Sequence, residues 1–513
     1  MLFSLMTAIC YGQTAEDYFD KGIAHLNKVR YDKAIAEFKK ALKINPNYPE
    51  AHTALGATYL IKGRYDEAIV ECNKAIKINP NYAEAHITLG GAYLLKGRYD
   101  EAIVEYKKAL EINPNYADAH TALGAAYLGK GMHDKAIAQC NKAIKINPND
   151  AMAHNNLGAA YLNKGMYDKA IAECKKAIKI NPNDAMAHNN LGEAYRLKEM
   201  YDEAIAEYKR AIKINPEDAD THYNLGLAYY RKAMYDEAIP EFKKALEINP
   251  NDTEAHTALG VAYLIKGMPD EAIAECKKAL EINPEYAEAH YNLGVAYGEK
   301  GMCDEAIAEF KKALEINPEY AEAHYNLGVA YEYNPEGIRY GRGCKLDKAI
   351  AEYKKALKIN PDYADAHNNL GAAYLNKGMF DQTITECNKA IKIDPNLAIA
   401  HYNLGTAYLN KGMYDKAITE CKKAIEINPN LAEAHINLGR AYGEKGMFNE
   451  AIGEYNKALE INPNYASVHN NLAVAYYYEG KYSLAIKHCD RAMELGAKVH
   501  PEFLKALEPY RKR

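Results

Sequence analysis

The chain contains no tryptophan and only 8 phenylalanines among 513 residues, against 44 tyrosines. Such a skewed aromatic set points to one motif copied many times. It also lacks an excess of either charge. The formal net charge is −5, which leaves no basic stripe for nucleic acid. No run of about 18 apolar residues occurs, so no segment is expected to span a membrane. The phosphate-binding patterns G-x-G-x-x-G and G-x-x-x-x-G-K-[ST] are missing, as is G-x-S-x-G. Neither H-E-x-x-H nor C-x-x-C, two metal-ligand spacings, is present. Acid pairs are common, but they recur with the motif and read as solvated helix faces. These absences lead to the expectation of a non-enzyme without cofactor or metal.

What is present is a text of 34 residues. Aligning A-x-A-H-x-x-L-G-x-A-Y places its copies without gaps from Ala15 to Tyr320. The copies begin at Ala15, Pro49, Ala83, Ala117, Ala151, Ala185, Ala219, Thr253, Ala287 and Ala321, then resume at Ala364, Ala398, Ala432 and Ala466. A typical copy is Ala287 to Tyr320, AEAHYNLGVAYGEKGMCDEAIAEFKKALEINPEY. Positions 4, 7, 8 and 11 carry His, Leu, Gly and Tyr, one face of a helix. Positions 20, 24, 27 and 28 form a second helical face, and a turn near position 15 separates the two. Proline at position 32, from Pro46 to Pro463 in thirteen copies, ends the second helix, because it lacks an N–H and disfavours helix in the residue before it. The small residue at position 8 lets the two helices cross closely.

These residues (Leu at 7, Gly at 8, Tyr at 11, Ala at 20 and 27, Phe, Tyr or Cys at 24, Pro at 32) resemble the tetratricopeptide repeat family over residues 15–499. His stands at position 4 in thirteen copies, from His52 to His469, where that family usually has Trp. The resemblance implies an all-α, right-handed superhelical solenoid of helix-turn-helix repeats, with the first helices lining a concave groove.

The organisation expected is an apolar N-terminal segment over 1–14, fourteen repeats over 15–499, and a capping helix over 500–513 carrying Phe503, Leu504 and Leu507 on one side. A solenoid needs its last face covered, and such a cap is also what the end of an array looks like. The copy starting at Ala321 is longer by nine residues, and the extra text lies in 332–345, EYNPEGIRYGRGCK. It reads as a tolerated extension of the turn, or as a contact loop bearing Arg339 and Arg342. Met1 to Gly12 suits a signal peptide in being apolar with small residues at its end, but no Lys or Arg precedes the apolar run.

The thirteen position-4 histidines recur about one helix pair apart, roughly 10 Å, too far for one ion, so they are expected in the core. Seven of the ten cysteines, Cys72, Cys140, Cys174, Cys276, Cys387, Cys421 and Cys489, occupy position 24, as small apolar core residues. Ten cysteines without evident pairing fit a reducing compartment. A cytoplasmic location is therefore favoured over export through residues 1–12.

Function is then expected on the first-helix surface. Position 6 is Asn156, Asn190, Asn224, Asn292, Asn326, Asn369, Asn403, Asn437 and Asn471. An amide both donates and accepts, so a row of them suits the backbone of an extended peptide. The row is similar to the asparagine ladder of the superhelical domain in O-linked N-acetylglucosamine transferases, whose catalytic half has no counterpart here. Beside it, position 5 carries Phe19, Tyr223, Tyr291, Tyr325 and Tyr402. Position 2 is acidic in ten copies, suiting the positive end of the helix dipole and equally an acidic margin. At positions 2, 5, 6 and 9 Arg440 is the lone base, which disfavours the carboxylate clamp of chaperone-tail adaptors.

Two functions follow as expectations. One is an interaction scaffold for other proteins or peptides, with Asn156 to Asn471, Tyr223, Tyr291, Tyr325 and Tyr402 as the groove. The other is a structural protein stacking head to tail into filaments or homo-oligomers.

Overall fold

The computed structural model describes residues 13–333 and 344–511. Residues 1–12, where the signal-like segment falls, and 334–343, most of the expected insertion loop, lie outside the described residues. The chain divides into two compact units, Met1–Pro250 and Asn251–Arg513. Among the described residues the first holds fourteen helices, from Ala15–Leu26 to Tyr235–Ile248. The second holds fifteen, from Thr253–Ile265 to Pro501–Arg511. In each unit a first helix packs on the second helix of its own repeat, and successive hairpins stack. Each unit is an all-α repeat solenoid.

The 34-residue text makes these elements for local reasons. The turn between the helices falls on position 15, where the backbone is left-handed: Gly131 has φ 69° and Gly267 67°. Glycine adopts this at no steric cost. Val29, Glu199 and Ala233 hold the same turn at φ 57°, 61° and 58°, where a Cβ costs about 1–2 kcal/mol. The second helix ends at Asn-Pro. Asn113, for example, is extended (φ −133°, ψ 93°) while its N–H still bonds to the Ala109 carbonyl. Its side-chain oxygen accepts from the Asn115 N–H at 3.1 Å, a turn that a proline between them cannot oppose.

Position 8 shows why the hairpin closes. A Cβ on Gly294 would stand 2.7 Å from the Phe310 ring, and one on Gly158 2.5 Å from the Cys174 sulfur. Position 8 and position 24 therefore share one space. Leu157 and Leu293, at position 7, are both buried, and burying a leucine contributes about 1.5–3 kcal/mol. The position-24 cysteines are buried and have free thiols. Burial pushes the Cys72 thiol up to about 12, helped by the Glu71 charge, so it is a poor nucleophile at neutral pH.

Helix Pro501–Arg511 packs on Tyr482–Glu494. Leu507 is fully buried, the Tyr510 ring stacks on Tyr482 at 3.6 Å, and Phe503 meets Tyr477 edge-on at 5.7 Å. Among the described residues no helix is long and apolar enough to cross a membrane.

Candidate functional site

The site is built from the first helices. Position 6 of one first helix faces position 5 of the first helix before it, because the two helices pack side by side. Asn190 Nδ2 donates to Asn155 Oδ1 at 2.8 Å, and Asn224 Nδ2 to Asn189 Oδ1 at 3.3 Å. In the second unit Asn326 donates to the Tyr291 hydroxyl at 2.9 Å and Asn369 to the Tyr325 hydroxyl at 3.0 Å. Asn403 donates to Asn368 Oδ1 at 3.0 Å, and Asn437 to the Thr406 hydroxyl at 2.8 Å. Asn156 reaches the Thr121 carbonyl at 3.5 Å. The sequence placed this row off the core face. The structure instead buries Asn156, Asn292, Asn403 and Asn437, and half-buries Asn190, Asn224, Asn326, Asn369 and Asn471. The reason is the closeness of neighbouring first helices, which turns each amide partly into a link between repeats.

Asn292 differs. Its Nδ2 is buried without a hydrogen-bond partner. The residue that would face it is Thr257, whose hydroxyl donates to its own helix at the Thr253 carbonyl, 2.7 Å away.

The position-5 rings sit half-buried beside these amides. Tyr223 packs on Phe242 at 5.9 Å. Tyr291 packs on Phe310 at 6.0 Å and on Tyr320 at 4.9 Å. Tyr325 repeats this with Tyr353 at 5.9 Å and Tyr363 at 4.9 Å. Phe19 pairs with Tyr48 at 5.2 Å. Tyr402 is held above the usual phenol range by burial and by the Glu433 charge, against the Thr406 hydrogen bond and Arg440.

The histidines were expected in the core, and they are buried, but their partner was missed. His86 Nδ1 lies 2.6 Å from Glu105 Oε2, and its Nε2 lies 3.0 Å from the Pro80 carbonyl. Glu105 Oε1 in turn accepts from Lys108 at 2.8 Å. The same arrangement joins His290 to Glu309 and Pro284 at 2.6 and 3.1 Å, and His401 to Glu420 and Pro395 at 2.6 and 3.2 Å. At His86 both partners only accept, so both ring nitrogens donate in the form that satisfies them, the imidazolium. The Glu105 hydrogen bond accordingly raises the His86 pKa, against burial. Burial alone would raise Glu105, but hydrogen bonds from His86 and Lys108 outweigh it and hold the carboxyl below its ordinary value.

This corrects the reading of all the acid pairs as solvated faces. Glu105 and Glu207, at position 23, are buried, because the second helix presents that position to the histidine. A signal was present in the sequence. Position 23 is Glu in eleven of the thirteen histidine-bearing copies, Gln139 and His488 being the exceptions. His469 and His488 face each other with Nδ1 atoms 2.9 Å apart, and burial together with the His469 charge pushes His488 down to about 4. Among the described residues no group of three or more His, Cys, Asp or Glu is placed to hold a metal ion.

The geometry defines a class: an all-α solenoid of stacked helical hairpins with a polar and aromatic first-helix surface. One family profile, described as a TPR repeat, matches residues 28–63, 58–97, 90–131, 193–232, 265–301, 299–334, 345–378 and 439–480. Two more, described as tetratricopeptide repeat, match 117–150, 151–184, 219–252, 364–397, 398–431 and 466–496, and 173–206, 241–274 and 420–453. The first alone covers more than half of the chain, so the chain belongs to the tetratricopeptide repeat family. Among solved structures it is similar to YrrB, a TPR protein with an unusual peptide-binding site, at 32% identity over 36% of this chain and 95% of that one, TM-score 0.32. It is similar to MamA at 34% identity over 32% and 95%, TM-score 0.30. The Cut9–Hcn1 hetero-tetramer of APC/C gives 18% identity over 96% of each chain, TM-score 0.42. A search of curated proteins finds no match. TPR proteins generally mediate protein–protein interactions and bind peptides, and their repeat scaffold is typically non-catalytic.

Proposed function

We propose that this chain is a non-enzymatic scaffold that holds extended segments of other proteins against its first helices, through the position-6 amides and the position-5 rings. The observation that carries the reading is the orientation of those amides. Asn326 and Asn369 are each pinned by a tyrosine hydroxyl of the preceding repeat. One N–H is used in that bond, and Asn369 Oδ1 also accepts from Asn368 Nδ2 at 3.2 Å; each amide keeps a second N–H, and its oxygen has two lone pairs. Consecutive repeats thus repeat a donor and an acceptor at a spacing of roughly 10 Å, about three residues of an extended chain.

The test uses peptides selected from a random display library on the full chain. Their affinities are then compared between the wild type and the Asn326→Ala, Asn369→Ala double variant. The expected result is at least about tenfold weaker binding with an unchanged helical circular-dichroism spectrum. Equal affinity in the double variant would sink the amide reading. Head-to-tail assembly stays the alternative, but it requires displacing helix Pro501–Arg511 from its stack on Tyr482. Concentration-dependent fibres in negative-stain images of the same protein would favour it.

A further inference from the structure

Within the second unit one part of the first-helix surface has a chemistry of its own. Tyr291 pairs with Tyr320 and Tyr325 with Tyr363, each at 4.9 Å between ring centroids. Carboxylates at position 2 border these pairs: Glu288, Glu322 and Asp365 are exposed. The four first helices Thr253–Ile265, Ala287–Glu299, Ala321–Tyr331 and Ala364–Asn376 contain no Lys or Arg, so nothing on them neutralises that border. Their histidines are buried and directed at Glu275, Glu309, Glu352 and Glu386.

Resting on the scaffold reading above, we infer that this tyrosine–carboxylate strip selects basic segments, arginine-rich extended chain in particular. A guanidinium stacks on a tyrosine face and is attracted by its ring quadrupole. A carboxylate at the ring's edge adds a charge-assisted hydrogen bond. The local field agrees: the Tyr320 and Tyr363 phenols are held above their ordinary range by burial first and then by the surrounding phenols and carboxylates. The two ring pairs lie one repeat apart, roughly 10 Å. Arginines three residues apart on an extended chain, at about 3.3–3.6 Å per residue, would meet successive pairs.

The first unit supplies the contrast. Tyr82 and Tyr116 stand where Tyr320 and Tyr363 do, but the position-5 residues they would pair with are Thr53 and Ile87. The second ring is missing in those two copies; Phe19 and Tyr48 do pair in the first unit, at 5.2 Å, but their first helix Ala15–Leu26 carries Lys21.

The experiment uses the full chain and three synthetic peptides of one design. One has arginine at every third position, one has glutamine there and one has glutamate, and each carries a single tryptophan. Because the protein has no tryptophan, excitation near the red edge reports the peptide alone. Binding of the arginine peptide at least about tenfold tighter than the glutamine peptide is expected, with the glutamate peptide weaker still. The variant Glu288→Gln, Glu322→Gln, Asp365→Asn should bring the arginine and glutamine peptides within about threefold of each other, leaving the glutamine peptide's affinity unchanged. The variant Glu281→Gln, Glu315→Gln, Glu426→Gln, with the same charge change on exposed second-helix ends, should keep the preference. If it loses the preference equally, attraction by bulk charge explains the result and the inference falls. Equal binding of the arginine and glutamine peptides also overturns it, while leaving the scaffold reading intact. Binding of none of the three overturns the inference, and the library-selected peptides then decide the scaffold reading separately.

Discussion

The stretch from Asp150 to Asn224 in the first unit and that from Tyr286 to Asn369 in the second share one backbone plan and present different surfaces. In the former, the residue before each first helix is an aspartate. Asp150 caps the Ala153 N–H at 3.0 Å, and Asp184 caps Met186 and Ala187 at 3.1 and 3.2 Å. Position 5 in the first two of its copies is Asn155 and Asn189, which accept from the amides of the next repeat, and only its last, Tyr223, is aromatic. In the latter, Tyr286, Tyr320 and Tyr363 stand at the cap position without capping. Tyr320 and Tyr363 pack instead, tilted, against the position-5 tyrosines. A helix cap contributes about 0.5–2 kcal/mol, and an aromatic pair about 0.5–1.5 kcal/mol beyond burial. The exchange is therefore close to neutral for the fold while it turns an amide-lined surface into an aromatic one. The 34-residue frame thus separates what builds the solenoid from what it shows to a ligand.

The comparison can be tested where it says the stretches are alike. Leu157→Ala and Leu293→Ala empty the same buried position in each. Both should cost about 2–5 kcal/mol, read as a shift in the urea unfolding transition. A large cost in one stretch only would break the claim of a common frame.

The histidine link is the next largest effect. Glu173→Ala and Glu309→Ala each leave a buried imidazole without its carboxylate, at a cost of about 1–3 kcal/mol. Its pH dependence has a definite sign. The His86 pKa is raised from 6.5, so its contribution is complete below that value and is lost as pH rises through the higher folded one. Glu105, Glu275, Glu352 and Glu386 are lowered from 4.5, so theirs is present above 4.5 and is lost as pH falls through the lower folded values. Unfolding midpoints measured against pH should be highest between these ordinary values and decline on both sides. A midpoint independent of pH from 6 to 9 in the wild type would exclude a charged imidazole.

The smallest effect addresses the difference itself. Asp184→Ala removes a cap and should cost about 0.5–2 kcal/mol. Tyr286→Ala, where no side-chain cap exists, should cost less in helix capping, a distinction readable by local hydrogen exchange in the first turns of Ala185–Leu197 and Ala287–Glu299. Equal deprotection of the two turns would remove the proposed trade of cap for ring.

The helices were legible in the residues because their determinants are local. Gly at position 15 in most copies and Pro at position 32 in thirteen punctuate the sequence independently of what packs on it. The core was nearly as plain, since Leu at 7 and Ala at 20 and 27 repeat at helical spacing. Glu at position 23 was hidden because its partner lies 19 residues away on another helix, and a lone periodic glutamate looks the same whether solvated or paired. The position-6 amides were read as a ligand surface because the distance between neighbouring first helices is not written in either helix alone.

The sequence by itself determined the repeat length, the helix boundaries and the family, because each depends on interactions within one turn or one hairpin. Only the tertiary structure decided that the histidines are bridged between a carboxylate and a proline carbonyl. It also decided that the asparagines link repeats as well as line a surface, and that tyrosines far apart in the text form pairs. Those outcomes depend on how closely one hairpin stacks on the next, and that distance is set by packing across repeats that no single copy encodes.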